Sequence, residues 1–120
     1  MPDFKFHKHY RLSKENDISN VFNNGKSVSD NNFVVYARQN NLDFSRICII
    51  ASKKYSLSAV KRNKIRRMAR EYFRLNHKKF PVSFDLIIIP RKNSAVRNYS
   101  ETVKSLDKLI FLKGLLKNGI

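Results

Sequence analysis

Ala59–Arg74 restricts what this chain can fold into more than any other stretch. Ile65, Met68, Ala69, Tyr72 and Phe73 recur at i, i+3, i+4, i+7 and i+8, the apolar stripe of an amphipathic helix that packs by one face. At about 100° per residue, Arg62, Asn63, Arg66, Arg67, Arg70 and Arg74 share the opposite arc. The segment holds seven basic residues (these five arginines with Lys61 and Lys64) and one acid, Glu71. Solvated helix faces ordinarily mix signs, because each Glu–Lys pair four apart adds a few tenths of a kcal/mol. Here the cations repel one another with little local relief. Arginine outnumbers lysine, and its planar fork suits bidentate contact with phosphate. The segment therefore reads as a packed helix whose outer face holds a polyanion.

Composition agrees with that partner class. The chain has 120 residues, 42% of them hydrophobic, and a formal net charge of +16. Its length and apolar content suit one domain over residues 1–120 with a core of its own. Its charge speaks to nucleic acid or an anionic surface rather than to fold. No run approaches the roughly eighteen apolar residues of a membrane span, and no signal-peptide core follows Met1. The single Cys48 lies in an apolar run and reads as a packed thiol. These features set the expectation of a cytoplasmic protein with no membrane partner.

Along the chain, residues 1–11 are basic and aromatic without a period and read as a terminal arm. His7 and His9 lack a third ligand at metal-binding spacing. Ser13 is the expected N-cap of a first helix with Ile18, Val21 and Phe22 on one face, closed by Gly25. Residues 23–32 read as a polar loop. Phe33–Ala37 alternates as a strand, and Ile47–Ala51 is a continuous apolar run; the two are expected to pair as an antiparallel hairpin. Ser58 is the expected N-cap of the basic helix. Asp85–Ile89 is a further β-branched strand ended by Pro90, and Ser100 is the expected cap of a final helix carrying Val103, Leu106 and Ile110 inward. The expected fold is α+β, a small mixed sheet with helices in the order α-β-β-α-β-α, including a βαβ crossover around the basic helix.

The catalytic inventory is thin. Gly25, Gly114 and Gly119 are the only glycines, and none forms a phosphate-binding loop. The nine acids are scattered, with no pair spaced for a two-metal nuclease. No catalytic or protein-bound metal residues are expected. Binding chemistry is better supplied. Fourteen aromatics (nine Phe, five Tyr) include no Trp, and any that face a groove can stack bases for roughly 1–3 kcal/mol each. Phe22 and Tyr36 are the candidates; core packing is the competing role for Phe22. Lys53 and Lys54 extend the helix's positive field.

With these pieces placed, the chain resembles the protein component of bacterial ribonuclease P from about Tyr10 to Leu116. The specific match is the family's Arg-Asn-Arg motif, here Ala59-Val60-Lys61-Arg62-Asn63-Lys64-Ile65-Arg66-Arg67 with Arg70 and Glu71. Supporting matches are Arg11-Leu12, Val21-Phe22 with Gly25, Phe33 to Tyr36, Ser52-Lys53-Lys54, and Asp85 to Ile89 followed by Arg91. The resemblance implies an accessory subunit of a ribozyme whose RNA, with Mg2+, removes the 5′ leader of precursor tRNA. It implies a monomer bound one-to-one to that RNA and a left-handed crossover, where the general handedness rule expects a right-handed one. By position it makes Arg62, Asn63, Lys64, Arg67 and Arg70 contacts to the catalytic RNA, with Arg66 and Arg74 on the same arc. It makes Phe22, Tyr36 and Lys53 leader-cleft residues, beside Lys54 and Ile18. Lys64 stands where the family has arginine, Ile18 where it has phenylalanine, and Cys48 where glycine is common. A general RNA-binding or ribosome-associated module is the alternative reading, and an autonomous nuclease is disfavoured by the lack of paired carboxylates.

Overall fold

The computed structural model describes residues 10–116. In chain order it runs α1 (Glu15–Asn24), β1 (Lys26–Ser29), β2 (Phe33–Gln39), β3 (Arg46–Ile49), α2 (Ala59–Asn76), β4 (Phe84–Pro90) and α3 (Tyr99–Asp107). A 3-10 turn at His77–Lys79 follows α2, and a π-helical turn at Lys108–Leu112 follows α3. The expected α+β class and element order stand, with one strand added. His7, His9 and most of the terminal arm lie outside the described residues.

β4 organises the sheet. Every residue of Phe84–Pro90 except Ile89 is buried, and a strand apolar on both faces belongs in the middle. The strand order is β1-β2-β4-β3. β4 pairs antiparallel with β2 and parallel with β3, so β3–α2–β4 is the expected βαβ unit. The hairpin expected between Phe33–Ala37 and Ile47–Ala51 does not form. β4 inserts between those two strands because its continuous apolar run needs a neighbour on each edge. The loop expected at residues 23–32 is also corrected: Lys26–Ser29 pairs with β2, placing Val28 opposite Val35. A polar edge strand with one apolar residue carries no hydrophobic signal, and such polarity is how sheets protect their edges.

Alternation divides the core between the two faces. On one face, Phe33, Val35, Ala37, Leu86 and Ile88 meet Ile65, Ala69, Tyr72 and Phe73 of α2 and Leu106, Leu109 and Ile110 near the C-terminus. On the other, Leu12, Val21 and Ile87 are buried, with Ile18, Tyr36, Cys48, Ile50 and Ile89 partly covered. The α2 stripe read from the sequence is thus the stripe that packs.

Caps follow the expectation at one helix of three. Ser58 Oγ accepts from the Lys61 N–H at 3.2 Å. At α3 the cap is Asn98, whose Oδ1 accepts from the Glu101 N–H at 2.9 Å, rather than Ser100. At α1 the cap position is Lys14, with no side-chain bond, rather than Ser13. Gly25 does close α1, its N–H bonding to the Val21 carbonyl at 2.9 Å, but in an extended conformation. Glycine is required there by space: a Cβ would sit 2.5 Å from the Val21 carbonyl oxygen and 2.7 Å from that of Ala37. This close approach seats α1 on β2. Asp85 fastens the other side. It accepts from Arg46 Nε and Nη2 at 2.8 and 2.7 Å and from Asn40 Nδ2 at 2.9 Å. Arg46 also reaches Asp17 of α1 at 3.3 Å, so one ion-pair cluster ties β4, β3 and α1 together.

Candidate nucleic-acid interface

The cations of α2 separate into groups that the sequence arc does not resolve. Asn63, Arg66, Arg67 and Arg70 line one open groove of about 450 Å3 together with Val60. Arg66 is held in place, donating to the Ala51 carbonyl at 2.8 Å and to Asn63 Oδ1 at 2.9 Å. Arg67 is exposed and has no hydrogen-bond or ion-pair partner among the described residues. Arg62 bonds back to the Ser56 carbonyl at 2.9 Å, stiffening the entry to the helix. Arg74 is drawn into an ion pair with Glu71. Lys64 turns to the opposite flank, donating to the Arg97 carbonyl at 2.8 Å, where it lines a second concavity with Tyr55, Lys61 and Arg97. Of the seven α2 residues expected to bind RNA, the structure brings four together.

The α1 face supplies a different surface. Phe22 and Tyr36 meet edge to face, with ring centroids 4.8 Å apart. Phe22 is 38% exposed, so part of its ring stays open to solvent while the rest packs on Tyr36. Ile18 and Tyr36 lie beside Cys48, Ile50 and Ile89, so the partly open sheet floor is apolar with aromatic walls. Lys53 and Lys54 are exposed in the β3–α2 link.

The two surfaces adjoin at Arg70. Burial first, then the charges of Arg11 and Arg66, lower its guanidinium pKa from the ordinary value. No acid pairs with it among the described residues, and an anion placed there would relieve the repulsion. Cys48 is its neighbour: burial raises the thiol pKa while the Arg70 charge opposes the rise. Arg11, read from the sequence only as the end of the terminal arm and part of a supporting match, turns out to lie close enough to Arg70 for their charges to interact. It is pinned beside the sheet by a parallel bridge to Ile47, where the Leu12 N–H donates to the Ile47 carbonyl at 2.9 Å. No local pattern in a short basic stretch announces that contact.

The described residues contain no group of three or more His, Cys, Asp or Glu side chains placed to hold a metal. None of their helices is long and apolar enough to cross a membrane. Fold and surface together define a small α+β nucleic-acid-binding protein: guanidiniums in one groove, aromatic rings on the adjoining sheet face.

Comparison with known proteins makes the class specific. The family model Ribonuclease P matches residues 6–113. The chain is 37% identical over 109 residues to the ribonuclease P protein component of Petrotoga mobilis, covering 88% of this chain and 92% of that one. It is 38% identical over 110 residues to the Clostridium kluyveri protein component, covering 90% and 97%. The solved Staphylococcus aureus RNase P protein superposes with a TM-score of 0.77 at 33% identity, over 90% of this chain and 98% of that one. The Thermotoga maritima protein, in complex with a fluorophenyl thiourea, gives 0.73 at 35% identity, over 89% and 98%. The chain belongs to the ribonuclease P protein family. It is a protein component of the tRNA-processing endoribonuclease and works with the RNase P RNA in the holoenzyme.

Proposed function

We propose that this subunit divides its work between its two adjoining surfaces. The α2 groove, through Asn63, Arg66, Arg67 and Arg70, holds phosphates of the RNase P RNA. The sheet face walled by Phe22, Tyr36 and Ile18 holds the single-stranded 5′ leader of precursor tRNA, with Lys53 and Lys54 drawing in its backbone. One protein binds one RNA in the cytoplasm. Mg2+ enters through the RNA, which performs the hydrolysis; the protein positions the substrate.

The observation that carries this reading is Arg70. It is a half-buried cation facing Arg11 and Arg66 without an acid partner among the described residues, beside Cys48 of the leader-binding face. A polyanion on α2 satisfies it, and a strand leaving that site meets Cys48 on β3, the edge of the sheet face that also carries Tyr36. Arginine and stacking contacts of this kind require no base-specific readout, as a subunit that meets many different leaders needs.

The test is precursor-tRNA binding by the reconstituted holoenzyme at low Mg2+. Adding the protein should tighten binding only when the leader is several nucleotides long. Equal tightening of a leaderless substrate would sink the leader-cleft assignment.

A further inference from the structure

Building on the reading that the α2 groove holds the RNase P RNA, we infer that the groove is a seat for one unpaired nucleotide of that RNA, with its base against Val60 and flanking phosphates on the arginines. Val60 is 76% exposed on a helix face otherwise polar and mostly cationic, and it forms a wall of the same groove as Asn63, Arg66, Arg67 and Arg70. A β-branched apolar residue there neither packs into the core nor improves the helix, since valine is a weaker helix former than alanine or lysine. Leu57, just ahead of the Ser58 cap, is 84% exposed at the same end of the helix. Cationic walls attract the backbone of any RNA; an apolar wall gains only from a face that can leave water, and in RNA that is an unstacked base.

Asn63 completes the seat. Its Oδ1 is taken by Arg66 Nη1 at 2.9 Å, so its orientation is set and its Nδ2 donors have no partner among the described residues. They can meet a base-edge acceptor or a 2′-hydroxyl. The groove thus presents apolar surface, amide donors and guanidiniums within about 450 Å3, one for each part of a nucleotide: base, edge or sugar, and phosphate. A paired helix offers phosphates and sugars but no free base face, so the fit selects a bulged or looped nucleotide.

The experiment measures affinity of the full chain for its RNase P RNA across a salt series, with chemical probing of unpaired bases. Val60→Ala should weaken binding about three- to tenfold with the salt slope unchanged, and should expose one base that the natural protein protects. Val60→Leu, which keeps the apolar wall, should retain both affinity and protection. Arg67→Ala should flatten the slope by about 0.9. Alanine is the better helix former, so a loss with Val60→Ala does not come from unfolding. If Val60→Ala matches the natural chain while Arg67→Ala flattens the slope, the base seat is overturned and the phosphate groove stands. If Arg67→Ala also leaves binding and slope untouched, the reading of the groove as the RNA surface falls with it. A Val60→Ala loss accompanied by a flatter slope overturns the seat as well.

Discussion

The α2 groove and the α1 face are adjoining surfaces, yet they rest on opposite physics. In the groove the recognition groups are charges that repel one another: Arg66, Arg67 and Arg70 gather with no acid among them. On the α1 face the groups are rings and aliphatic chains that attract one another, Phe22 on Tyr36 with Ile18 alongside. The first surface is therefore strained until a polyanion arrives, is long-ranged and is weakened by salt. The second is already packed, is short-ranged and tolerates salt. Under the proposed division, a protein that holds one large structured RNA and many variable single strands gains from this separation: charge fixes the first partner and stacking samples the second.

The largest expected effect shows what the surfaces share. Asp85→Ala strips Arg46 and Asn40 of their common acceptor, and Arg46 also anchors Asp17 of α1. Arg46 keeps some solvent contact, its side chain 18% exposed, so the cost should fall near the low end for a broken buried pair, about 3 kcal/mol. Urea unfolding should show it, and both binding activities should fall together. Next in size is Gly25→Ala, expected to cost about 1–3 kcal/mol because the new methyl meets two backbone carbonyls. That change lifts α1 from β2. Leader-dependent binding should drop well before affinity for the RNase P RNA does; equal losses would mean that α1 supports both surfaces.

A direct contrast pairs one residue from each side. Phe22→Ala should weaken leader-bearing substrate roughly tenfold at every salt concentration and leave RNA-subunit affinity intact. Arg70→Ala should weaken RNA-subunit binding by a similar factor at low salt, with the slope reduced by about 0.9. If the two variants exchange signatures, the division of labour is reversed.

How much of this was legible depends on where the signal lived. The basic helix and its packing stripe were readable because periodicity and burial express the same 3.6-residue geometry; Ile65, Ala69, Tyr72 and Phe73 all lie inside. Asp85–Ile89 was readable as a strand from the apolar run Leu86 to Ile89. Its central place was not, because pairing partners are chosen by the whole sheet, and neighbours in sequence are only the commonest choice. β1 was invisible, since Lys-Ser-Val-Ser has no face to bury. Ser13 and Ser100 misled because several side chains near a helix start can cap it, and the backbone selects one, Asn98 at α3. In the site, helical angle places Lys64 only one residue from the arginine arc. Which way its long side chain turns is decided by the carbonyl of Arg97, distant in sequence.

That last contact yields the smallest expected effect and the finest test of the comparison. The Lys64 ammonium already has an acceptor, and it faces the concavity with Tyr55, Lys61 and Arg97 rather than the groove. Its charge is partly spent on a dipole, and an exposed bond of this sort contributes about 1 kcal/mol at most to holding the loop. Lys64→Ala should therefore change RNA affinity by less than about twofold and leave the salt slope within about 0.3 of the natural protein's, against 0.9 for a lost phosphate contact. A full unit lost at Lys64 would mean that RNA contacts both flanks of α2. The helix would then be wedged between two RNA segments instead of lying along one, and the groove would be half of the basic surface rather than its centre.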